Sequence, residues 1–510
     1  MKSRLIHVIN ERKYVSNNLI KTSIFELVIN LSNHHITTMK FCFFFILTAF
    51  GLSTIANSFA QTTYKVSYAE LKTYQGIYQY ENNKTLQIAA SPIDTMLYAI
   101  IGTSMYKLRP YSKDVFLNGG NTQVQFIRNG DEIIGYKQQN DKPDTIYKLI
   151  TPKVTFSDKM WYARQLNGDK FVYQYTVPKQ KDDGLQTGSL VNSGLDTAII
   201  RTLMNRIVDH TYPGIHSILI IKDGKLILEE YFYEYDAETL QELRSATKSF
   251  SSALVGIAIN KGLIKSLNTP MLTYLPEYHP ENPDPRKNQI TIKNLLTQQS
   301  GFACYDYDPK SPGNEVKMYP TDDWIKFMVD LPMAGNPGET ASYCSGNIQL
   351  LDKIVENVSH QTLHDFAQQN LFNELGITDF IWNYAPNKSH EDDYGQVCLT
   401  PRDMAKFGLL YLNGGVWNGK QVVPNDYVAQ SLSKQSVVDG INYGYLWWCE
   451  DLTAPNGVKY RGIAAKGNGG QRIFIWPDQN MVAVVTAGNY NTQSPANKLL
   501  IECVLGGLKK

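Results

Sequence analysis

The sequence predicts an α+β fold: an antiparallel sheet flanked by helices, with an inserted helical subdomain, preceded by a small β-barrel-like domain. Three observations lead there. Short strand-like runs recur at regular spacing up to about residue 150. Beyond them, two strong hairpin patterns frame a long stretch of helical periodicity between residues 232 and 472. The chain has 510 residues, 43% of them hydrophobic, which is enough to bury more than one core.

Residues 1–38 carry scattered Lys and Arg without a fold pattern and read as an upstream extension. Met39–Ala60 reads as a signal peptide. Lys40 precedes an apolar stretch, and Ser58-Phe59-Ala60 supplies a small-x-small cleavage pattern before Gln61. The expected location is periplasmic or secreted in a bacterium, with no permanent membrane anchor. Residues 61–150 form the β-rich accessory domain. Its runs are Tyr74–Tyr80, Thr85–Ala89, Met96–Ile101, Gln123–Ile127, Glu132–Tyr136 and Thr145–Leu149, with Asn129-Gly130 as a hairpin turn. Residues 151–185, ending in the polar stretch 178–184, read as a linker. The large domain, 186–510, opens with the hairpin Ile215–Ile221, Asp223-Gly224, Leu226–Phe232. It closes with the hairpin Arg472–Trp476 and Met481–Thr486, followed by a helix-like tail from Ala496 to Val504.

Charge and cysteine usage remove several function classes. The balance of 49 basic and 48 acidic residues, net +1, argues against a nucleic-acid partner. Of six Cys, Cys42 falls in the signal peptide. The odd remainder leaves at least one thiol unpaired, no Cys-x-x-Cys spacing supports zinc, and each Cys is expected to be a buried apolar residue. His360 and His364 sit at i, i+4 without the Glu of a metalloprotease helix, so they are expected to be a surface pair and not a metal site. No Gly-x-Ser-x-Gly elbow and no phosphate loop occur, and no metal or organic cofactor is expected.

One stretch carries chemistry. Arg244-Ser245-Ala246-Thr247-Lys248 opens a run of helical period through Phe250, Leu254, Ile257 and Ala258, stopped at Gly262. On a helix Ser245 and Lys248 lie one turn apart on one face. A serine hydroxyl is a weak nucleophile until a neighbouring base takes its proton, and a lysine can be that base. The spacing alone is common: Ser104–Lys107 and Ser431–Lys434 share it. The first lies in the strand-rich domain and the second in a polar stretch, so both are expected to be solvated side chains.

Two further segments accompany the pair, Ala341–Leu351 with Tyr343, Cys344 and Ser345, and Ala465–Arg472 with Asn468-Gly469-Gly470. With Leu295–Phe302, Leu399–Gly408 and Tyr443–Trp448, residues 186–505 resemble the serine β-lactamase-related superfamily. That superfamily contains class C β-lactamases, D-alanyl-D-alanine carboxypeptidases, and esterase and 6-aminohexanoate-oligomer hydrolase relatives. The accessory domain resembles the lipocalin-like barrels attached to some secreted serine hydrolases.

The resemblance implies a β-lactamase/transpeptidase-like architecture with Ser245 as nucleophile, Lys248 as general base and Tyr343 as proton relay. Ser345 stands where the Tyr-x-Asn motif has Asn. The third motif, normally a cation, a small residue and Gly, aligns as Asn468-Gly469-Gly470. The oxyanion hole would be the backbone N–H groups of Ser245 and Gln471. Asn468 carries no charge and Gly469 no hydroxyl to bind a substrate carboxylate, although Lys466 or Arg472 could compensate. The expected substrate is therefore a small ester, amide or peptide, ahead of a β-lactam or a D-alanyl-D-alanine peptide. Cys344 is expected to be packed and not a second nucleophile. A non-catalytic cell-wall-binding protein on a hydrolase scaffold is the reading from another class.

Overall fold

The computed structural model describes residues 64–80, 84–101, 104–164, 171–382 and 395–509. The extension and the signal-peptide stretch lie outside them. No helix among the described residues is long and apolar enough to cross a membrane.

The first strands close into a barrel: β1 (Gly76–Gln79), β2 (Thr85–Ala90), β3 (Leu97–Ile101), β4 (Ser104–Ser112), β5 (Val115–Leu117), β6 (Gln123–Asn129), β7 (Glu132–Gln138) and β8 (Tyr147–Thr151). Tyr78 of β1 pairs with Leu149 of β8 to complete the circuit. The strands β4 and β5 were not legible in the sequence. Pro110, Lys107 and Arg109 break up the apolar alternation of the first, and the second has only three residues. A short helix, α1 (Tyr68–Lys72), started by the Ser67 side chain on the Glu70 N–H, buries Leu71 in the barrel core.

The large domain is built on one nine-stranded sheet. Its strands are β9 (Gln186–Thr187), β10 (Ile215–Lys222), β11 (Lys225–Tyr231), β12 (Ser436–Val438), β13 (Ile441–Tyr443), β14 (Trp448–Thr453), β15 (Lys459–Gly467), β16 (Gln471–Trp476) and β17 (Met481–Ala487). They lie in the order β12-β13-β14-β15-β16-β17-β10-β11-β9. The two hairpins foreseen in the sequence are thus joined side by side, Leu219 opposite Val484. The sheet is mixed and not wholly antiparallel, because β9 pairs parallel to β11.

Helices α2 (Thr197–Val208), α3 (Thr247–Asn260), α4 (Gly346–Ser359) and α5 (Pro401–Leu412) pack around it. Asp196 caps α2 and Thr400 caps α5, where Pro401 takes the first turn. The helix α3 is not amphipathic, as its sequence pattern suggested. Every residue from Thr247 to Ala258 is buried, and Phe250 stacks on Phe407 of α5 at 3.7 Å. It is held between the sheet and the inserted helices. The tail is an α-turn, Ala496–Leu499, running into π-helical Leu500–Leu505.

Residues 151–185 do more than link. Ala163, Tyr173 and Leu185 belong to the core of the large domain. The Tyr173 hydroxyl donates to Glu230 at 2.7 Å, and buried Arg402 bridges Asp183 and Glu229 at 2.7 and 2.8 Å.

Candidate active site

The chain reaches the site along a two-residue strand, Gln241–Glu242, paired with Cys398 and Leu399. It then turns sharply. Arg244 adopts a left-handed conformation, φ +51°, and Arg244–Ala246 form a 3-10 turn that feeds α3. A left-handed non-glycine residue costs about 1–2 kcal/mol, so neighbouring contacts must hold it. Arg244 pairs with Glu242 at 2.8 Å, donates to the Tyr106 hydroxyl of β4 at 2.8 Å and lies 5.0 Å over the Tyr490 ring. The turn leaves Ser245 half-buried at the mouth of α3 with Lys248 one turn further in.

Lys248 is buried, 7% exposed, and its Nζ donates to Ser245 Oγ at 3.0 Å and to Ser345 Oγ at 3.1 Å. It also lies 5.1 Å from the centre of the Tyr343 ring. Among the described residues it forms no ion pair with a carboxylate. Tyr343 is sandwiched between Tyr307 (5.3 Å) and Trp448 (5.6 Å), both stacked. Burial raises the pKa of its phenol well above the usual value, and the Ser245 hydroxyl opposes that shift by hydrogen bonding. Ser245, Lys248, Tyr343 and Ser345 therefore converge on one point.

Two supports of this point were not foreseen. The Ser345 N–H donates to Asp306 at 2.6 Å, and the same carboxylate accepts from the Glu315 N–H at 3.0 Å. Burial and the neighbouring Glu315 charge raise the pKa of Asp306, against the pull of Lys248 and the Ser345 hydrogen bonds. Cys344 is bonded to Cys304 in a disulfide, which fastens the Tyr343–Ser345 segment to the loop bearing Asp306 and Tyr307. This corrects the expectation of a packed free thiol. Cys449 and Cys503 are free thiols, and burial pushes the Cys449 thiol up to about 11. An odd cysteine count told nothing about pairing, and no sequence signal marks Asp306.

The third motif is placed differently from the expectation. Asn468-Gly469-Gly470 form the turn between β15 and β16, with both glycines left-handed. The Asn468 amide bonds Asn491, accepts from the Gly469 N–H at 2.8 Å and from the Asn491 N–H at 3.1 Å. The buried Gln471 side chain is spent on the Ala487 backbone. These side chains sew the turn to the 487–491 loop. The backbone of β15 meets the chain just before Ser245. Gly467 ends β15 so close to Leu243 that a Cβ there would lie 2.0 Å from the Leu243 carbonyl oxygen. Nor do the nearby cations compensate. Lys466 is paired with Glu450 at 2.5 Å, and Arg472 donates to the Gly467 and Gln471 carbonyls and Asn497. Burial lowers both, Arg472 to about 10.

Other expectations also change. Ser104 and Ser431 are buried, not solvated: Ser104 donates to Glu242 at 3.3 Å and Ser431 to the Tyr427 carbonyl at 2.8 Å. His360 caps the end of α4, while His364 belongs to the next helix and stacks on Phe380 at 4.6 Å, so they share no helix face. Among the described residues no group of three or more His, Cys, Asp or Glu is placed to hold a metal ion.

A sequence model of the beta-lactamase family matches residues 197–502. An uncharacterized protein of Alkalihalophilus pseudofirmus is 25% identical over 320 residues, 56% of this chain and 86% of its own length. The 6-aminohexanoate-dimer hydrolase of Paenarthrobacter ureafaciens is 25% identical over 291 residues, 52% of this chain and 71% of that protein. Among solved structures, a putative beta-lactamase from Bacteroides dorei aligns at TM-score 0.48 and 19% identity, covering 60% of this chain and 97% of that one.

Proposed function

The chain belongs to the beta-lactamase family, and from that premise we propose that it is a secreted serine hydrolase cleaving an ester or amide bond through an acyl-enzyme on Ser245. Family membership supports a serine-hydrolase type of reaction. The observation that carries the finer reading is the position of Lys248 Nζ, 3.0 Å from Ser245 Oγ and buried beneath it.

In this reading Ser245 Oγ attacks the carbonyl carbon while Lys248 takes its proton. The backbone N–H groups of Ser245 and Gln471 receive the oxyanion. Tyr343 passes a proton to the departing alcohol or amine, and water then cleaves the acyl-enzyme. Ser345 and Asp306 act by holding Lys248 and the Tyr343 loop in place.

Preference for an uncharged ester or amide over a β-lactam rests on the cations. A substrate carboxylate would need a free positive charge at the β15–β16 turn, and Lys466 and Arg472 are both engaged elsewhere. The P. ureafaciens relative is named for the hydrolysis of a 6-aminohexanoate dimer, which is not a β-lactam. Secretion is favoured by the Met39–Ala60 pattern and by a disulfide, which persists in an oxidising compartment. The test is covalent labelling by a fluorophosphonate probe: it is expected in the native chain and lost in Ser245→Ala, and labelling that survives the substitution refutes the assignment. Hydrolysis of p-nitrophenyl butyrate is expected to exceed that of nitrocefin.

A further inference from the structure

The barrel is solid at one end and hollow at the other. Tyr74, Tyr78, Phe116 and Phe126 fill the first end, with Tyr74 centred 5.1 Å from Phe116 and 4.9 Å from Phe126. Val124 precedes Phe126 by two residues, so both point inward on β6. Yet Phe126 belongs to the aromatic plug, while Val124, with Leu86, Ile88 and Leu108, lines a cavity of about 750 Å³. An eight-stranded barrel can be filled by side chains or can hold one small ligand, and this one does the former over only part of its height. The volume falls within the range of small-molecule sites.

The large domain completes the wall of this cavity. Glu242, Arg244, Tyr319 and Tyr490 line its mouth, and Arg244 is the residue immediately before Ser245. Asn491, which fastens the β15–β16 turn through Asn468, lines it as well. Ser245 itself, Lys248, Tyr343, Tyr307 and Trp448 do not, so the cavity begins one residue before Ser245. A leaving group that takes its proton from Tyr343 must lie with that cluster, so the acyl part of the substrate is the part that can extend past Arg244 into the barrel. The lining tells its chemistry: its wall inside the barrel is aliphatic, through Leu86, Ile88, Ala99, Leu108 and Val124, tyrosines and polar side chains make up the remainder, and Arg244 there is already paired with Glu242.

We propose that the hollow end of the barrel is the acyl pocket of the enzyme, and that its substrates carry an extended apolar acyl chain. The proposal rests on the Ser245 acyl-enzyme reading above. Burial of each added methylene favours reaction by about fourfold while the chain still meets the wall. The accessory domain thus determines specificity for the neighbouring catalytic turn.

The experiment is a series of p-nitrophenyl esters, from acetate to octanoate, on the full chain and on Val124→Phe and Ile88→Phe, which fill the cavity from two strands. In the native protein kcat/KM is expected to rise with chain length. In each variant the ratio of octanoate to acetate kcat/KM falls by about tenfold, chiefly through KM. Fluorophosphonate labelling of Ser245 reports that each variant is folded. The opposite substitution, Val124→Ala, enlarges the cavity and is expected to raise the ratio of octanoate to acetate kcat/KM, so the answer does not depend on the filled variants alone. A flat chain-length series, or a ratio unmoved by all three substitutions, overturns the proposal. Failure of the acyl-enzyme reading looks different: Ser245→Ala would then retain hydrolysis of every ester, whatever its length.

Discussion

Two Ser-x-x-Lys quartets in this chain have opposite fates, and Arg244, just before the second, reaches Ser104 and Tyr106 of the first. Ser104 and Lys107 lie on β4, where residues three apart face opposite sides of a strand. Ser104 turns to Glu242 at 3.3 Å, and Lys107 turns away to Asp94 at 3.4 Å. Ser245 and Lys248 lie at the start of a helix, where the same spacing makes one turn and brings Nζ to 3.0 Å from Oγ. A third hydroxyl, Ser345, then shares the lysine at 3.1 Å. Identical spacing becomes a Ser–Lys contact only where the backbone period is 3.6 and a second segment closes the group.

The strongest way to break this comparison is to remove the lysines in turn. Lys248→Ala is expected to lower kcat by about 10³–10⁴-fold, the range of a general base together with the contacts that place it. Lys107→Ala is expected to stay within about twofold, since its ion pair with Asp94 is only half-buried. Steady-state ester hydrolysis with both variants decides it, and equal losses would mean that helix and strand contexts do not matter as argued.

A smaller effect should follow from loosening the segment that distinguishes the two quartets. The Cys304–Cys344 bridge closes a loop of 40 residues, worth about 4 kcal/mol in the chain-entropy account. Cys304→Ala with Cys344→Ala is expected to lower stability to denaturant by that order. It should also slow labelling of Ser245 about tenfold, because Ser345 and Tyr343 lose their fixed distance from Lys248. Stability lost with unchanged labelling would show that the bridge serves the fold and not the site.

This contrast also explains what could be read from the residues alone. The quartet at Ser245, the helix it opens and the Tyr343 segment are local patterns, and local patterns survive in one dimension. The two hairpins were visible for the same reason, as was most of the barrel. The disulfide, the Asp306 support and the direction of Asn468 are contacts between distant segments. Asn468 looked like a substrate contact because it aligns with the third motif of the family the sequence resembles. Its amide faces Asn491 instead, a partner 23 residues away that no periodicity announces.

Burial carries a pH dependence that runs through the same seam between barrel and sheet. His216 on β10 is enclosed, stacked on Tyr235 at 3.6 Å and bonded to Gln241 at 3.0 Å, and burial holds its pKa down to about 4 from an ordinary 6.5. The unfolded chain binds a proton between those values that the native state refuses, so stability falls as pH drops from 6.5 towards 4. The loss attributable to this ring is about 3 kcal/mol at its fullest. His216→Gln should flatten that part of a melting-temperature profile, and a profile identical to that of the native chain would remove His216 as its source.

The smallest expected effect is the one that tests whether the two quartets cooperate. Ser104 gives Glu242 a hydrogen bond, and Glu242 in turn holds the left-handed Arg244 that precedes the nucleophile. Ser104→Ala removes one of several anchors, because Arg244 keeps Tyr106 at 2.8 Å and Glu242 at 2.8 Å. Loss of a single buried hydrogen bond is worth about 1 kcal/mol. Ester hydrolysis is therefore expected to fall about threefold in kcat/KM, with Ser245 still labelled. A drop as deep as that of Lys248→Ala would place the strand quartet inside the catalytic machinery. No drop at all would leave Tyr106 and Glu242 as sufficient supports of the turn, and the barrel's hold on the nucleophile would then run through the phenol alone.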